Sequence, residues 1–519
     1  MLKTPSGNIA KIFRAYRNGL FLVLLLIVYC FLDYPHILFL HPQGIHFIRQ
    51  TDCLSFVRYY SNHGMSFFEP GVFNLSSRDG KAACEFPILY YLTALFYKLI
   101  GEHEFILRLI NITMVSFGFF CLFRLLTLLL KDIFYSFVFT FLFFSSTILI
   151  YYTDNYLPDA SALACALAGW YYSYLYFLQR NKTRSLFAGF MFFALSSLLK
   201  VTFFINPFTF LISLLVFDFL STKQAINSFK SNFRLILYFT VTLALVIAWN
   251  LFAIHYNSLN HDSYFLLSTR PIWGLDKAGI NSVFDYIYNY WYSQYYYQST
   301  IHVFAILIII GLFLIRYSER IILLFTSILL SGSLAYFVLF FDQFRNHDYY
   351  FIALMPSIIF LIISSFISVS NRFPGFVKNL VVRSALLLLC ILSLNYAREK
   401  MVQRYDTKND LFSVIGVKLS GTREYLNEKG VPGNEKVILV TDLTPNGGLY
   451  FLDHPGWNLR DTSGLSMQYL RNYMTEGAGI IILTDRNYLQ NSELVKCLGK
   501  KIGEKNQIMV FKTAKHPIP

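Results

Sequence analysis

The stretch EFPILYYLTALFYKLIGEHEFILRL, residues 85–109, holds the most informative pattern in the chain. Its apolar run from Phe86 to Gly101 is shorter than the about 20 residues that a helix needs to cross a bilayer core. Acidic residues flank the run, with Glu85 before it and Glu104 after it. A short apolar helix between polar ends is typical of a segment at a membrane surface, and we predict such a helix here.

The composition of the whole chain is that of a membrane protein. Its 519 residues are 55% hydrophobic and only 14% charged, and the mean hydropathy is +0.47, whereas soluble domains carry about 25% charged residues. Apolar runs of about 20 residues recur along the chain. We therefore predict a polytopic α-helical membrane protein with about eleven spans, at residues 20–40, 108–130, 133–152, 160–178, 185–200, 201–220, 235–254, 301–315, 320–341, 349–368 and 380–396.

The basic residues predict the orientation of these spans. A net charge of +14 would suit a nucleic-acid-binding protein, but many of the basic residues lie in alternate short loops, among them Arg124, Lys131, Arg180, Lys182, Arg184, Arg316 and Arg320. The positive-inside rule places those loops in the cytoplasm. The opposite loops then face outward. We expect the membrane to be the inner (plasma) membrane of a bacterium. Because the charge is explained by orientation, no nucleic-acid partner is expected.

The chain changes character near residue 396. Residues 1–396 are the transmembrane domain, with an outer loop at 41–107, and residues 397–519 alternate charged and apolar positions as soluble domains do. Three short β-branched runs predict strands, KVILVTDL (436–443), GIIILTD (479–485) and IMVFK (508–512). A helical pattern around 465–474 separates two of them, so we predict a small extracytoplasmic α/β domain with a partly parallel sheet. It lacks a GxGxxG nucleotide fingerprint, which favours a docking or acceptor-handling module.

Five motifs follow one another in a characteristic order. The first is an aspartate soon after the first span, and the others are the 85–109 stretch, LPDASALACAL (157–167), LLKVTFFINP (198–207) and RNHDYYFIALMP (345–356). Over roughly residues 10–370 this order resembles the GT-C-fold glycosyltransferases. The likeness is to the branch with dolichyl-phosphate-mannose protein mannosyltransferases and the lipid A aminoarabinose transferase. Within 85–109 the matching residues are Glu85, Pro87, Tyr90, Tyr91, Gly101, Glu104 and Arg108.

The resemblance implies an activity. A sugar would pass from a polyprenyl-phosphate donor to an acceptor (a lipid, a polysaccharide or a protein) on the outer face, by a single displacement that inverts the sugar. The family's catalytic aspartate matches Asp52, in RQTDCLSFVRYY (49–60). A carboxylate within hydrogen-bond reach can take the proton of an attacking hydroxyl, which makes Asp52 the candidate general base. Glu85 and Asp159 are further catalytic candidates.

The leaving phosphate needs cations or donors at the membrane surface. The candidates for donor-phosphate binding are Lys200, Arg270, Arg345, His347 and Tyr349, since arginine forms bidentate phosphate contacts and lysine acts as a point charge. A divalent metal ion could also take part in the reaction. The sequence shows no convincing set of metal ligands, and Glu85 is the one ligand suggested.

Each candidate also has a structural interpretation. Asp52 could pair with Arg49 or Arg58 as an ordinary salt bridge, and Asp159 could cap a helix. Lys200 could snorkel at a helix end, and Arg270 could be solvated. His347 and Tyr349 could belong to an interfacial aromatic belt, as could the tyrosine-rich segment 281–300.

Three further alternatives stay open. Cys53 and Cys84 could form a disulfide in an oxidising exterior or remain buried thiols. A transporter or flippase of lipid-linked sugars would show internal repeats and mid-span polar residues. A non-catalytic envelope-assembly protein would keep its function without Asp52.

Overall fold

The computed structural model describes residues 7–223, 232–265 and 268–514. The chain divides into two compact units. Unit 1 comprises Met1–Phe39, Arg108–Trp249 and Ser268–Val402, and unit 2 comprises Leu40–Leu107, Asn250–Leu267 and Gln403–Pro519. The whole of the predicted outer loop and most of the predicted C-terminal domain therefore belong to the same unit.

Unit 1 is built of helices. Those that lie wholly or mostly in it are Gly7–Phe31, Tyr34–Ile37, Phe105–Leu130, Ile133–Phe144, Thr147–Thr153, Asp159–Leu178, Thr183–Leu199, Ile205–Thr222, Phe233–Leu259, Lys277–Tyr286, Tyr292–Tyr295, Gln298–Phe313, Arg320–Leu339, Gln343–Asn346, Met355–Arg372, Pro374–Lys378 and Leu380–Tyr405. Short 3-10 turns precede two of them, at Val201–Phe204 and Asp348–Leu354.

Six helices in the described part of the chain are long and apolar enough to cross a membrane, and the number rises to eight if each of two bent pairs is one span. The six are Phe105–Leu130, Val201–Ser221, Phe233–Leu259, Arg320–Leu339, Asp348–Arg372 and Leu380–Tyr405. The prediction of an integral membrane protein is supported, but the count of eleven is not confirmed. Helices Asp159–Leu178 and Thr183–Leu199 match predicted spans without joining this set.

The first span differs from the predicted 20–40. Its helix begins at Gly7 and ends at Phe31, and a separate short helix covers Tyr34–Ile37. Asp33 between them has a positive φ of 65°, and a proline lies in the first turn of the second helix. A proline ring clashes with the preceding helical turn and cannot donate its backbone bond. The apolar run is therefore broken into two helices.

The core of unit 1 is aromatic. Trp170 is fully buried, and its ring lies 5.0 Å from that of Phe325 and 4.5 Å from that of Phe360. Its indole nitrogen donates to Asn206 Oδ1 over 2.8 Å, which satisfies the one polar atom of the side chain. The packed rings fix the helices that carry these residues relative to one another within unit 1.

Unit 2 joins helices to a five-stranded sheet. Its helices are Phe47–Asn62, Ile88–Ile100, Val414–Leu419, Thr422–Glu428, Gly447–Leu452, Gly464–Thr475 and Ser492–Cys497. The predicted short apolar helix is present as Ile88–Ile100. It packs on Phe47–Asn62, where the rings of Phe56 and Tyr90 stack 5.5 Å apart.

The sheet contains β1 (Val437–Val440), β2 (Gly456–Leu459), β3 (Ile480–Leu483), β4 (Leu498–Lys505) and β5 (Ile508–Thr513), in the order β2-β1-β3-β5-β4. Strand β1 pairs in parallel with β2 and β3, and β5 pairs antiparallel with β3 and β4. All three predicted strands are present, and the sheet is partly parallel as predicted. Strands β1 and β3 are buried throughout, which explains their continuous β-branched runs.

Candidate active site

The helix Phe47–Asn62 of unit 2 is buried although it is rich in polar residues. Gln50, Thr51, Asp52 and Ser55 are all fully buried, and Arg58 is 7% exposed. Buried polar groups need hydrogen-bond partners, so such a helix indicates a polar site inside the unit. The helix lies within the predicted outer loop 41–107, where the sequence predicts only the short apolar helix after Glu85.

Asp52 is held by two hydrogen bonds. Asn446 donates from Nδ2 to Asp52 Oδ1 over 2.8 Å, and the Tyr264 hydroxyl donates to Oδ2 over 2.9 Å. Arg49 Nη1 lies 3.6 Å from Oδ2. Arg58 pairs with Glu102 and Asp453 instead, at 2.8 Å each. Of the two arginines that could pair with Asp52, only Arg49 contacts it. The two hydrogen bonds of the carboxylate come from the neutral donors Asn446 and Tyr264.

Burial raises the pKa of Asp52 to about 6, although Arg49, Asn446 and Tyr264 each favour the charged form. The Glu85 carboxylate adds a smaller effect that also raises this pKa. Burial likewise holds the pKa of Tyr264 well above its ordinary value, so the phenol stays protonated and acts as the donor. A general base works best with a pKa close to the operating pH, and a buried carboxylate of this kind meets that requirement.

Glu85 reaches Asp52 through Arg49. Arg49 Nη2 lies 2.9 Å from Glu85 Oε1, and the Tyr90 hydroxyl also donates to Glu85. The Arg49 guanidinium therefore lies within 3.6 Å of Asp52 and 2.9 Å of Glu85 and supplies the positive charge that both carboxylates share. Among the described residues no group of three His, Cys, Asp or Glu side chains is placed to hold a metal ion. Because Arg49 already contacts both acids, Asp52 and Glu85 do not fit a divalent metal.

Unit 2 contains a cavity of about 280 Å³ near Tyr264. Its lining residues are Ile48, Tyr264, Phe412, Leu443, Pro445 and Arg460. Tyr264 therefore faces the cavity and also donates to Asp52. Its walls are mainly apolar, with one guanidinium group.

In unit 1, four of the predicted donor-binding and catalytic residues lie together. Lys200 Nζ is 3.4 Å from Asp159 Oδ2 and 5.6 Å from the centre of the Tyr349 ring. The His347 ring lies 5.3 Å from that of Tyr349. Asp159 and Tyr349 are each 5% exposed. The arrangement is a lysine partly neutralised by a buried carboxylate on an aromatic surface.

Arg270 and Arg345 form a second basic group in unit 1. Both approach one carboxylate, with Arg270 Nη1 3.4 Å from Asp342 Oδ2 and Arg345 Nη2 3.0 Å from Asp342 Oδ1. Two guanidiniums on one carboxylate leave an excess of positive charge that suits an anion. The roles of these residues stay predictions.

The tyrosine-rich segment forms helix Lys277–Tyr286, a π-helical turn at Ile287–Trp291 and helix Tyr292–Tyr295. It borders an open cavity of about 690 Å³. Tyr288 and Tyr290 are 76% and 60% exposed, as an interfacial belt would require.

The sequence predictions missed Asn446 and Tyr264. Asn446 lies in the loop after β1, and loops at the carboxyl ends of parallel strands commonly carry functional residues, so this signal was available. Tyr264 had no comparable signal in a loop rich in aromatic residues. Cys53 and Cys84 are both buried, and no disulfide joins them.

No family model matches the sequence, and no curated protein matches it. Solved structures do match. ArnT from Cupriavidus metallidurans in the apo state has a TM-score of 0.60 at 13% identity, over 94% of this chain and 97% of that chain. The same protein bound to undecaprenyl phosphate gives 0.56 at 12% identity, over 95% and 97%.

The oligosaccharyltransferase of Archaeoglobus fulgidus, in complex with Zn and sulfate, gives a TM-score of 0.51 at 13% identity, over 93% of this chain and 71% of that chain. These neighbours are GT-C-fold glycosyltransferases. At such low identity the likeness shows the fold, and the GT-C fold predicted from motif order is confirmed.

Proposed function

We propose that this protein is an integral-membrane glycosyltransferase that moves a sugar from a polyprenyl-phosphate donor to an envelope acceptor. The observation that carries the proposal is the buried Asp52 carboxylate, held by Asn446 and by Tyr264, which also lines a cavity. The GT-C fold supports the donor class, because ArnT with this fold was solved with undecaprenyl phosphate bound. The acceptor is a lipid, a polysaccharide or a protein.

The reaction is a single displacement with inversion. A hydroxyl of the acceptor attacks the anomeric carbon of the sugar, and the bond from that carbon to the phosphate oxygen breaks. The hydroxyl proton passes to Asp52, and polyprenyl phosphate leaves with the bonding electron pair. The cavity beside Tyr264 gives the acceptor hydroxyl a route toward the carboxylate, with Tyr264 as the residue between them.

The basic groups of unit 1 serve the leaving phosphate. Lys200 acts as a point charge, Arg270 and Arg345 as planar donors, and His347 and Tyr349 as additional polar contacts. Asp159 acts through Lys200, whose ammonium lies 3.4 Å away. Glu85 acts in the same indirect way through Arg49. Charge that develops on the phosphate is stabilised most by groups that are already in place.

The proposed location is the plasma membrane of a bacterium, with the active site and the C-terminal domain on the extracytoplasmic side. The support is the concentration of basic residues in alternate short loops, which the positive-inside rule places in the cytoplasm. Cysteine accessibility labelling in intact cells tests this at two exposed positions, Lys182 and Asn427, each replaced by cysteine in a Cys30→Ser background because Cys30 is itself exposed. Only the residue-427 variant is expected to react.

An assay in detergent tests the activity. The purified protein is mixed with lipid, glycan and protein extracts from a strain that lacks the gene, and products are analysed by mass spectrometry. A sugar-sized mass added to one class of acceptor is the expected result, and it identifies both sugar and acceptor. A flippase moves a lipid across a membrane without forming a covalent bond, so it yields no product in this assay. Absence of product with folded protein would therefore favour the transporter alternative.

A further inference from the structure

The loop after β1 is organised around a buried carboxylate. Asp442 is 2% exposed and accepts four hydrogen bonds. The donors are Thr444 N, Thr444 Oγ1 and Gly448 N at 2.8 Å each, and Asn458 Nδ2 at 3.0 Å. A carboxylate that gathers donors from its own loop and from the neighbouring strand fixes the conformation of residues 441–448.

This loop presents Asn446 to Asp52 in one orientation. Asn446 is fully buried, and its side-chain Oδ1 accepts from the backbone N–H of Asn74 over 3.1 Å. Its Nδ2 therefore points the other way and donates to Asp52 Oδ1 over 2.8 Å. A reversed amide would place an oxygen against the carboxylate and an NH₂ group against an N–H, so the contacts on both sides determine the assignment.

Close packing holds the loop against the helix that carries Asp52. A Cβ atom at Gly447 would lie 2.6 Å from a ring carbon of Phe47 and 2.5 Å from Thr444 Oγ1. Only glycine fits at such a distance, so the backbone after Asn446 lies directly on Phe47–Asn62. The hydrogen bonds to Asp442 and the contact of Gly447 with Phe47 therefore both fix the position of the loop.

We propose that Asn446 is a positioning residue for Asp52, and that through it the C-terminal α/β domain forms part of the catalytic site. The inference rests on the proposed function, in which Asp52 is the base. It goes beyond docking or acceptor handling, because the domain supplies one of the two hydrogen bonds that orient the carboxylate. The other comes from Tyr264, which leaves Asn446 to hold the oxygen on the opposite side.

The expected consequence of removing Asn446 has a definite sign. The charged and titratable groups that face Asp52 are Arg49, Glu85, Tyr264 and Cys53. A donor to a carboxylate favours the charged form, so its loss raises the pKa of Asp52. Detachment of the domain would act in the opposite direction, since an exposed aspartate has a pKa of about 4.

Carbodiimide labelling measures this without knowledge of the substrates. Dicyclohexylcarbodiimide reacts with protonated carboxyl groups, and peptide mass spectrometry reports modification of Asp52 at each pH in detergent. For Asn446→Ala the midpoint should rise by about one pH unit over wild type. Asn446→Asp, of nearly the same shape, should raise it further through repulsion between two carboxylates. Asn427→Ala, at an exposed position in the same domain, should leave it unchanged.

Two results would overturn the proposal. An unchanged midpoint in both Asn446 variants would show that the amide does not act on Asp52. A midpoint that falls toward about 4 would show that Asn446 only attaches the domain. Transfer by Asp52→Asn separates this inference from the proposed function. If Asp52→Asn is fully active, the assignment of Asp52 as the base is wrong. If Asp52→Asn is inactive and the Asn446 variants show an unchanged midpoint, only the role proposed for Asn446 is wrong.

Discussion

Asn446 and Asp52 are 394 positions apart in the chain, yet the amide nitrogen of one lies 2.8 Å from a carboxylate oxygen of the other. Tyr264 completes the arrangement from the opposite oxygen. The carboxylate is thereby buried, oriented and tuned by neutral donors as well as by Arg49. Because each neighbour changes the pKa of Asp52 in a known direction, the arrangement gives predictions with opposite signs.

The transfer rate should depend on pH through Asp52. A protonated carboxyl group cannot accept the acceptor proton, so the rate should fall as the pH is lowered through about 6. The detergent assay, run in steps from pH 8 downward with a return to pH 7 to prove reversibility, measures this. A rate that stays constant down to about pH 4.5 would contradict an Asp52 base of this pKa.

Tyr264→Phe should shift the acidic limb of that profile, the pH range in which the rate falls, to higher pH. The variant removes one hydrogen bond to the carboxylate and keeps the ring that lines the cavity, so the pKa of Asp52 rises by about one unit. The rate at pH 8 should suffer less than the rate at pH 6. Tyr469→Phe, at a largely exposed position on helix Gly464–Thr475, is the control. An unmoved limb would mean that the phenol does not act on Asp52.

Glu85→Gln should move the limb in the opposite direction. The Glu85 charge raises the pKa of Asp52, and without that charge Arg49 favours the Asp52 carboxylate more strongly. The profile should therefore extend to lower pH. Glu69→Gln, which breaks only a half-exposed pair with Lys81, should have no effect. An upward shift in Glu85→Gln would refute the indirect role proposed for this residue.

Lys200→Met should weaken donor binding. The variant removes one cation proposed to contact the phosphate, and a charge-assisted contact of this kind supports a loss of about tenfold in affinity. Native mass spectrometry with undecaprenyl phosphate measures it in detergent. Lys182→Met, at an exposed position before the same helix, is the matched control. Equal affinity in Lys200→Met and wild type would remove Lys200 from the donor site.

Hydropathy and strand patterning predict much of the fold, because burial determines where apolar residues occur along the sequence. The runs 436–443 and 479–485 predict β1 and β3, since both strands are buried on two faces. Hydropathy performs less well on span boundaries, as at Phe31, because it does not register the backbone break before Pro35. Motif order adds the GT-C fold, which no single periodic pattern indicates.

The candidate site is only partly predictable. Asp52 and Glu85 follow from motif order, but the two hydrogen bonds to Asp52 come from distant segments. Asn446 and Tyr264 reach Asp52 across hundreds of positions, and a hydrogen bond between distant residues leaves no local pattern. The polar helix Phe47–Asn62 also looks like a solvated loop in sequence, because its residues are buried by contacts that form only in the folded unit.

Asp52→Asn in the detergent transfer assay tests the central claim most directly. The amide keeps the size of the side chain but cannot take a proton, so the rate should fall by at least about a hundredfold at pH 7. Undecaprenyl phosphate should still bind, and Asp79→Asn, an exposed position with a positive φ that asparagine tolerates, should keep full activity. Product formed by Asp52→Asn at the wild-type rate would contradict the assignment of Asp52 as the base.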